Sequence, residues 1–87
     1  MTYKVEIVRT AQKQILSLPK EAQVEIALVI DSLMNKPRPS GCKKLRVTAL
    51  WRLRVRHYRL IYAVDDKAHM VTVLKIAVRS EGTYQGV

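Results

Sequence analysis

The chain has 87 residues, is 48% hydrophobic and 26% charged, and carries a formal net charge of +9. That length allows one domain, residues 1–87, with a thin stability margin, and that hydrophobic content argues against disorder. No apolar run approaches the ~20 residues of a membrane helix, the single Cys42 has no partner for an internal disulfide, and two histidines without a Cys pair offer no zinc site.

At the N-terminus, "MTYKVEIVRT" has charges where a secretory signal needs an apolar core, so the chain is expected in the cytoplasm. Within it Tyr3 to Arg9 places Tyr3, Val5 and Ile7 in alternation, which predicts a strand. Thr10 is expected to cap a short helix carrying Ala11, Ile15 and Leu16. Pro19 suits the first turn of a second helix. Along that helix Ala22, Ile26, Val29, Ile30 and Leu33 form one apolar stripe. "NKPRPSG" ends it, because two prolines and a glycine do not continue a helix. Strands follow to about Arg79, then a short polar tail. The expected architecture is α+β, with two N-terminal helices packed on one face of a twisted antiparallel sheet in the order β-α-α-β-β-β.

The charge is placed unevenly. Lys36, Arg38, Lys43, Lys44, Arg46, Arg52, Arg54, Arg56 and Arg59 fall between Lys36 and Val64, a window with no Asp or Glu. The remaining cations are balanced by the acids, so the whole net charge sits in about a third of the chain. Such a block points to a polyanionic partner: nucleic acid, a membrane surface or an acidic protein. The competing reading is a solvated basic face with no ligand.

"WRLRVRHYRLIY" reads as a hairpin with Arg56 and His57 as its loop. Val55 then faces Tyr58, Arg54 faces Arg59, Leu53 faces Leu60, Arg52 faces Ile61 and Trp51 faces Tyr62. Alternation sends Trp51, Leu53, Val55, Tyr58, Leu60 and Tyr62 to one side, and Arg52, Arg54 and Arg59 to the other. Two like charges directly opposite destabilise a sheet, by up to ~1 kcal/mol, unless an anion relieves them. In "HMVTVLKIAVR", the set Met70, Thr72, Leu74, Ile76 and Val78 is expected in the core. Lys75 and Arg79 then join the arginine face. That pairing needs an odd-length loop near "DDKAH", or a bulge. Arginine forks suit phosphate oxygens, and Tyr84 near the rim suits stacking on an unpaired base, so the pattern favours single-stranded nucleic acid. His57 and His69 are read as turn residues, Cys42 as a structural or surface thiol, and Trp51 as a core anchor.

In order, "KKL", "WRLRV", "YRLIY" and "VRSEGTY" resemble the segments of the RelE/ParE superfamily of bacterial toxins, along nearly the whole chain. Two positions depart from the usual pattern: Val78 replaces a frequent histidine, and Arg56 replaces a frequent glycine in the hairpin loop. The tail also has one residue more than usual between Arg79 and Tyr84.

The resemblance implies a toxin of a type II toxin–antitoxin system. RelE-type members cut messenger RNA in the ribosomal decoding site; ParE-type members instead inhibit DNA gyrase and have no nuclease activity. It implies a metal-independent endoribonuclease with no cofactor, in which Arg52, Arg54, Arg59, Arg79 and Tyr84 are the catalytic set. Lys43, Lys44, Arg46, Arg56 and Lys75 are the expected further contacts to RNA. The implied partners are the small ribosomal subunit, messenger RNA and a cognate antitoxin, which the charge block suggests is acidic. No membrane partner is expected.

Overall fold

The computed structural model describes residues 2–45 and 49–78. The chain runs β1 (Lys4–Ile7), α1 (Arg9–Leu16), α2 (Lys20–Ser32), β2 (Lys43–Lys44), β3 (Leu50–Val55), β4 (Tyr58–Asp65) and β5 (Met70–Val78). The strands form one sheet in the order β1-β5-β4-β3-β2. Three neighbouring pairs are antiparallel, while β1 joins β5 in parallel, with Val5 beside Val71 and Ile7 beside Val73. The α+β architecture is the expected one, enlarged by the two-residue strand β2. Among the described residues no helix is long and apolar enough to cross a membrane.

The passage from β1 into α1 is abrupt. The Val8 N–H donates to the Val73 carbonyl at 3.0 Å, continuing the β1–β5 pairing by one step, and Arg9 is already helical. Val8 is therefore the N-cap, and Thr10, expected there, lies inside the helix. The strand pairing reaches further than a local capping preference could predict. At the other end of α1, Gln23 of α2 donates its side-chain amide to the Leu18 carbonyl at 2.8 Å and to that of Leu16 at 3.3 Å. One side chain thus serves a carbonyl at the end of α1 and another in the turn beyond it. Pro19 sits at the N-cap of α2, one residue before its first turn.

The α2 stripe appears as predicted: Ala22, Ile26, Ile30 and Leu33 are buried and Val29 is half-buried. Ile26, Ile30 and Leu33, with Val29 against them, close over the sheet together with Ala11 of α1 and with Leu53, Val55, Leu60, Tyr62, Val71, Val73 and Ile76. α1 packs on β5 and α2 on β3.

The β5 assignment needs correction. Val71 and Val73 are fully buried, whereas Met70, Thr72 and Leu74 are only half-buried. Four residues, 66–69, separate the ends of β4 and β5, and Asp65 faces Met70. An even loop puts odd-numbered residues of β5 on the core side. The register then shifts: Tyr62 pairs with Val73 but Ile61 pairs with Lys75, so Leu74 is an extra residue. After this bulge the parity reverses and Ile76 enters the core, at 4% exposure. The physical reason is charge. Without the extra residue, Val71 and Val73 inside would bring Lys75 inside too.

The predicted hairpin is present pair for pair, from Val55–Tyr58 to Trp51–Tyr62. Its two-residue loop holds Arg56 at φ 56°, a left-handed conformation that costs a non-glycine residue roughly 1–2 kcal/mol. Arg56 also pairs with Glu25 of α2, an exposed ion pair of the kind that contributes ~0–1 kcal/mol. The variants Arg56→Gly and Arg56→Ala lose that pair equally. Arg56→Gly should therefore be the more stable of the two by ~1 kcal/mol in urea unfolding, since it alone relieves the backbone. Equal stabilities would show that the loop conformation carries no strain.

Candidate nucleic-acid interface

The face of the sheet turned away from the helices carries the cations in two rows. Across β2, β3, β4 and β5 the first row reads Lys43, Arg52, Ile61, Lys75. The second reads Arg54, Arg59, Ala77. The alternation of the hairpin and the bulge in β5 together produce this arrangement, since each puts an apolar neighbour inside and a cation outside. Arg54 and Lys75 are exposed; Arg52 and Arg59 are half-buried, and the Arg59 Nε is out of contact with solvent. Among the described residues no acid pairs with Lys43, Arg52, Arg54 or Lys75. A pocket of about 280 Å³ opens between Gly41, Lys43, Arg52 and Arg54. It has the size and charge to receive a phosphate group with part of its sugar.

Gly41 contributes to the pocket wall through its backbone, which the sequence does not signal. It has φ 94°, where a Cβ is strongly disfavoured, and it turns the chain into β2. The serine–glycine pair after two prolines was a turn signal, but nothing local placed that turn against Arg54.

Other expected contacts separate from these rows. Lys44 faces Trp51 in the register, so it lies on the opposite side of the edge strand from Lys43. Arg56 is held by Glu25 and does not extend the cluster. This pair also shows the limit of reading charge along the chain, because the acid comes from α2, outside the acid-free window. Arg46, Arg79 and Tyr84 lie outside the described residues. His57 is exposed in the hairpin loop, and His69 packs edge-on against Tyr3 with ring centroids 5.1 Å apart; neither belongs to the arginine rows. Among the described residues no cluster of His, Cys, Asp or Glu is suited to a metal ion.

A second group of polar side chains borders the pocket segment. Arg38 donates through Nη2 to Asp66 Oδ1 at 2.8 Å, and the Tyr3 hydroxyl donates to the same oxygen at 2.6 Å. The Arg38 guanidinium also lies over the Trp51 ring, 5.5 Å from its centroid. Trp51 is half-buried against the core, as its anchor role requires. The Tyr3 hydrogen bond, and then Arg38, hold the Asp66 carboxyl below the usual range, so it is ionised at neutral pH. The Tyr62 hydroxyl donates to the Pro37 carbonyl at 2.8 Å. Burial, and then Cys42, push the Tyr62 phenol well above its ordinary value, so it keeps this proton.

Arg54 stands directly opposite Arg59 in the register, a placement in which like charges repel. Arg54→Gln should hold or raise stability by a few tenths of a kcal/mol, with the gain larger at low salt, where exposed charges are least screened. Urea unfolding at two ionic strengths checks this. A loss of stability that is independent of salt would mean that the pair is not repulsive.

The chain matches the sequence model of the family described as "ParE toxin of type II toxin-antitoxin system, parDE" over residues 5–82. It is 37% identical over 81 residues to the Toxin RelE of Mycobacterium tuberculosis, covering 90% of this chain and 82% of that protein. Its fold is similar to that in the crystal structure of an archaeal RelE–RelB complex from Pyrococcus horikoshii OT3, with TM-score 0.84, 33% identity and coverage of 93% of this chain and 99% of that one. The toxin–antitoxin complex RelBE2 of Mycobacterium tuberculosis is also similar, with TM-score 0.81, 26% identity and coverage of 91% and 100%. With the arginine rows where the "WRLRV" and "YRLIY" segments put them, the chain belongs to the RelE/ParE superfamily and is a RelE-like toxin of a type II toxin–antitoxin system.

Proposed function

We propose that this toxin is a ribosome-dependent endoribonuclease that cleaves messenger RNA in the decoding site and thereby stops translation. The single observation that carries the reading is the opposition of Arg54 and Arg59 on an outward face, beside a pocket lined by Lys43 and Arg52. A fold keeps such a concentration of like charge at a cost, and the phosphodiester backbone is the ligand that repays it.

The proposed reaction is an internal transfer. The 2′-oxygen of one nucleotide attacks its own 3′-phosphate, giving a cyclic phosphate and a 5′-hydroxyl end. Negative charge grows on the non-bridging oxygens as the phosphorane forms, and fixed guanidinium donors aimed there lower the barrier. Arg59 takes this role, held at the start of β4 beside the hairpin loop. Arg52 and Arg54 orient the attacked phosphate. Arg79 acts near the leaving oxygen, and Tyr84 stacks on a base or accepts the 2′-proton. Arginine keeps its proton at physiological pH and so is a poor proton shuttle. Part of the proton transfer therefore falls to the tail or to the ribosome. Lys43 and Lys75 continue the cationic surface along the RNA backbone.

The whole chain acts as one domain in the cytoplasm, neutralised by a cognate antitoxin. Two of the similar structures are complexes of that kind, described as RelE–RelB and RelBE2. An acidic, amphipathic antitoxin segment fits the charge of the sheet face.

The open sheet face predicts slow cutting of naked RNA and efficient cutting of RNA on programmed ribosomes. Arg59→Ala should lower the ribosomal rate on the order of 100- to 1000-fold, as loss of one fixed donor does elsewhere. Primer extension on messages from programmed ribosomes measures both. Equal cleavage of naked RNA would remove the ribosome from the reading, and a fully active Arg59→Ala would remove Arg59 from the site. The matched family model is described by its ParE members, so the same experiment includes a gyrase supercoiling assay. Gyrase inhibition with intact messages would replace this function by the ParE-type one.

A further inference from the structure

The strand β2 that carries Lys43 into the pocket should not hold itself. It has two residues, at the edge of the sheet, and its register places Lys43 opposite Arg52. Facing like charges weaken a cross-strand pair. What precedes it, however, is fastened twice. The Pro37 carbonyl is held by the Tyr62 hydroxyl. The next residue, Arg38, is held by Asp66 from the β4–β5 loop and lies over Trp51. Asp66 is in turn fixed by the hydroxyl of Tyr3, the residue before β1. From Arg38 the chain needs only a turn, with the Cys42 N–H on the Pro39 carbonyl at 3.1 Å, to reach Gly41 and Lys43 in the pocket wall.

We propose that Arg38 and Asp66 are positioning residues, forming a latch that holds Lys43 in place for the RNA backbone. The inference rests on the RNA reading above for its ligand, but not for its mechanics. An exposed ion pair contributes little to global stability; the Arg38 and Asp66 side chains are 35% and 59% exposed. The latch therefore acts locally. It restricts a short segment that the ladder alone would leave fraying. Three contacts converge to do this: the shared Asp66 oxygen, the indole face and the Tyr62 hydrogen bond.

Two measurements on the full chain test it, using Asp66→Asn and, as a second variant, Arg38→Gln. The first is amide hydrogen exchange at Leu45, whose N–H donates to the Leu50 carbonyl at 2.9 Å at the end of β2. Exchange should accelerate at Leu45 in both variants, with the β4–β5 amides and the melting temperature unchanged. The second is binding of a short single-stranded 2′-O-methyl oligoribonucleotide, which has no free 2′-hydroxyl to attack. Asp66→Asn should weaken binding and lower the slope of log affinity against log salt by roughly 0.7, the share of one phosphate contact on a single strand. In a Lys43→Ala background the same substitution should have no further effect. Unchanged exchange at Leu45 would overturn the latch. So would additive losses in the double variant, since Asp66 would then act independently of Lys43. Wild-type protein that binds no oligonucleotide would overturn the RNA reading instead, and the exchange result would still decide the latch.

Discussion

A lysine cannot be turned into a small apolar core without a partner, and the sheet is organised around that restriction. β5 is the strand between β1 and β4, so its side chains decide both faces. Its first half buries Val71 and Val73 and its second half buries Ile76, positions of opposite parity. A regular strand cannot bury both sets. One extra residue at Leu74 resolves the conflict and leaves Lys75 outside, opposite Ile61. Desolvating an unpaired ammonium costs far more than an interrupted ladder does. β1 pairs with the first half of β5, before the bulge, with Val5 beside Val71 and Ile7 beside Val73. The outward position of Lys75 and the sealed core are thus consequences of the same inserted residue.

The sheet then works as a partition. On the helix side, Tyr62, Leu60, Ile26 and Leu33 are removed from water almost completely. Burying each such side chain contributes roughly 1.5–3 kcal/mol. On the other side, Arg54 opposite Arg59 and Lys43 opposite Arg52 each cost up to ~1 kcal/mol. Core burial outweighs this repulsion, so the fold tolerates a concentrated field on its outer face. A field of that kind attracts and orients a polyanion before contact, and it distinguishes an acidic partner from a neutral one.

The edge of the sheet is governed by different forces. β2 has only two residues and buries little, so hydrophobic burial does not hold it. Side chains from distant parts of the chain act in its place: Tyr3, Arg38, Trp51, Tyr62 and Asp66 meet around residues 37 and 38. The pocket wall is consequently built from two kinds of support. Arg52 and Arg54 are set by the central hairpin, and Gly41 and Lys43 by the side-chain contacts made at residues 37 and 38.

The hairpin was legible in the sequence residue by residue, because period-two alternation and a two-residue loop fix the pairing locally. So were the α2 stripe and the outward direction of Arg52, Arg54 and Arg59. The resemblance, with its frequent glycine at the position of Arg56, pointed to an unusual turn there, and φ 56° is a conformation that glycine favours. Three features required the tertiary structure. The phase of β5 depended on loop length and a bulge, which respond to the burial of the whole strand and not to any local pattern. The cap of α1 moved from Thr10 to Val8 because a backbone bond to Val73 outlasts the strand. Arg38 and Arg56 found Asp66 and Glu25 far away in sequence, so a window free of acids did not mean side chains free of acids. Periodicity is a property of neighbours along the chain and can be read there. Register between strands and pairing between charges are properties of the folded surface, and they are decided only when the core has closed.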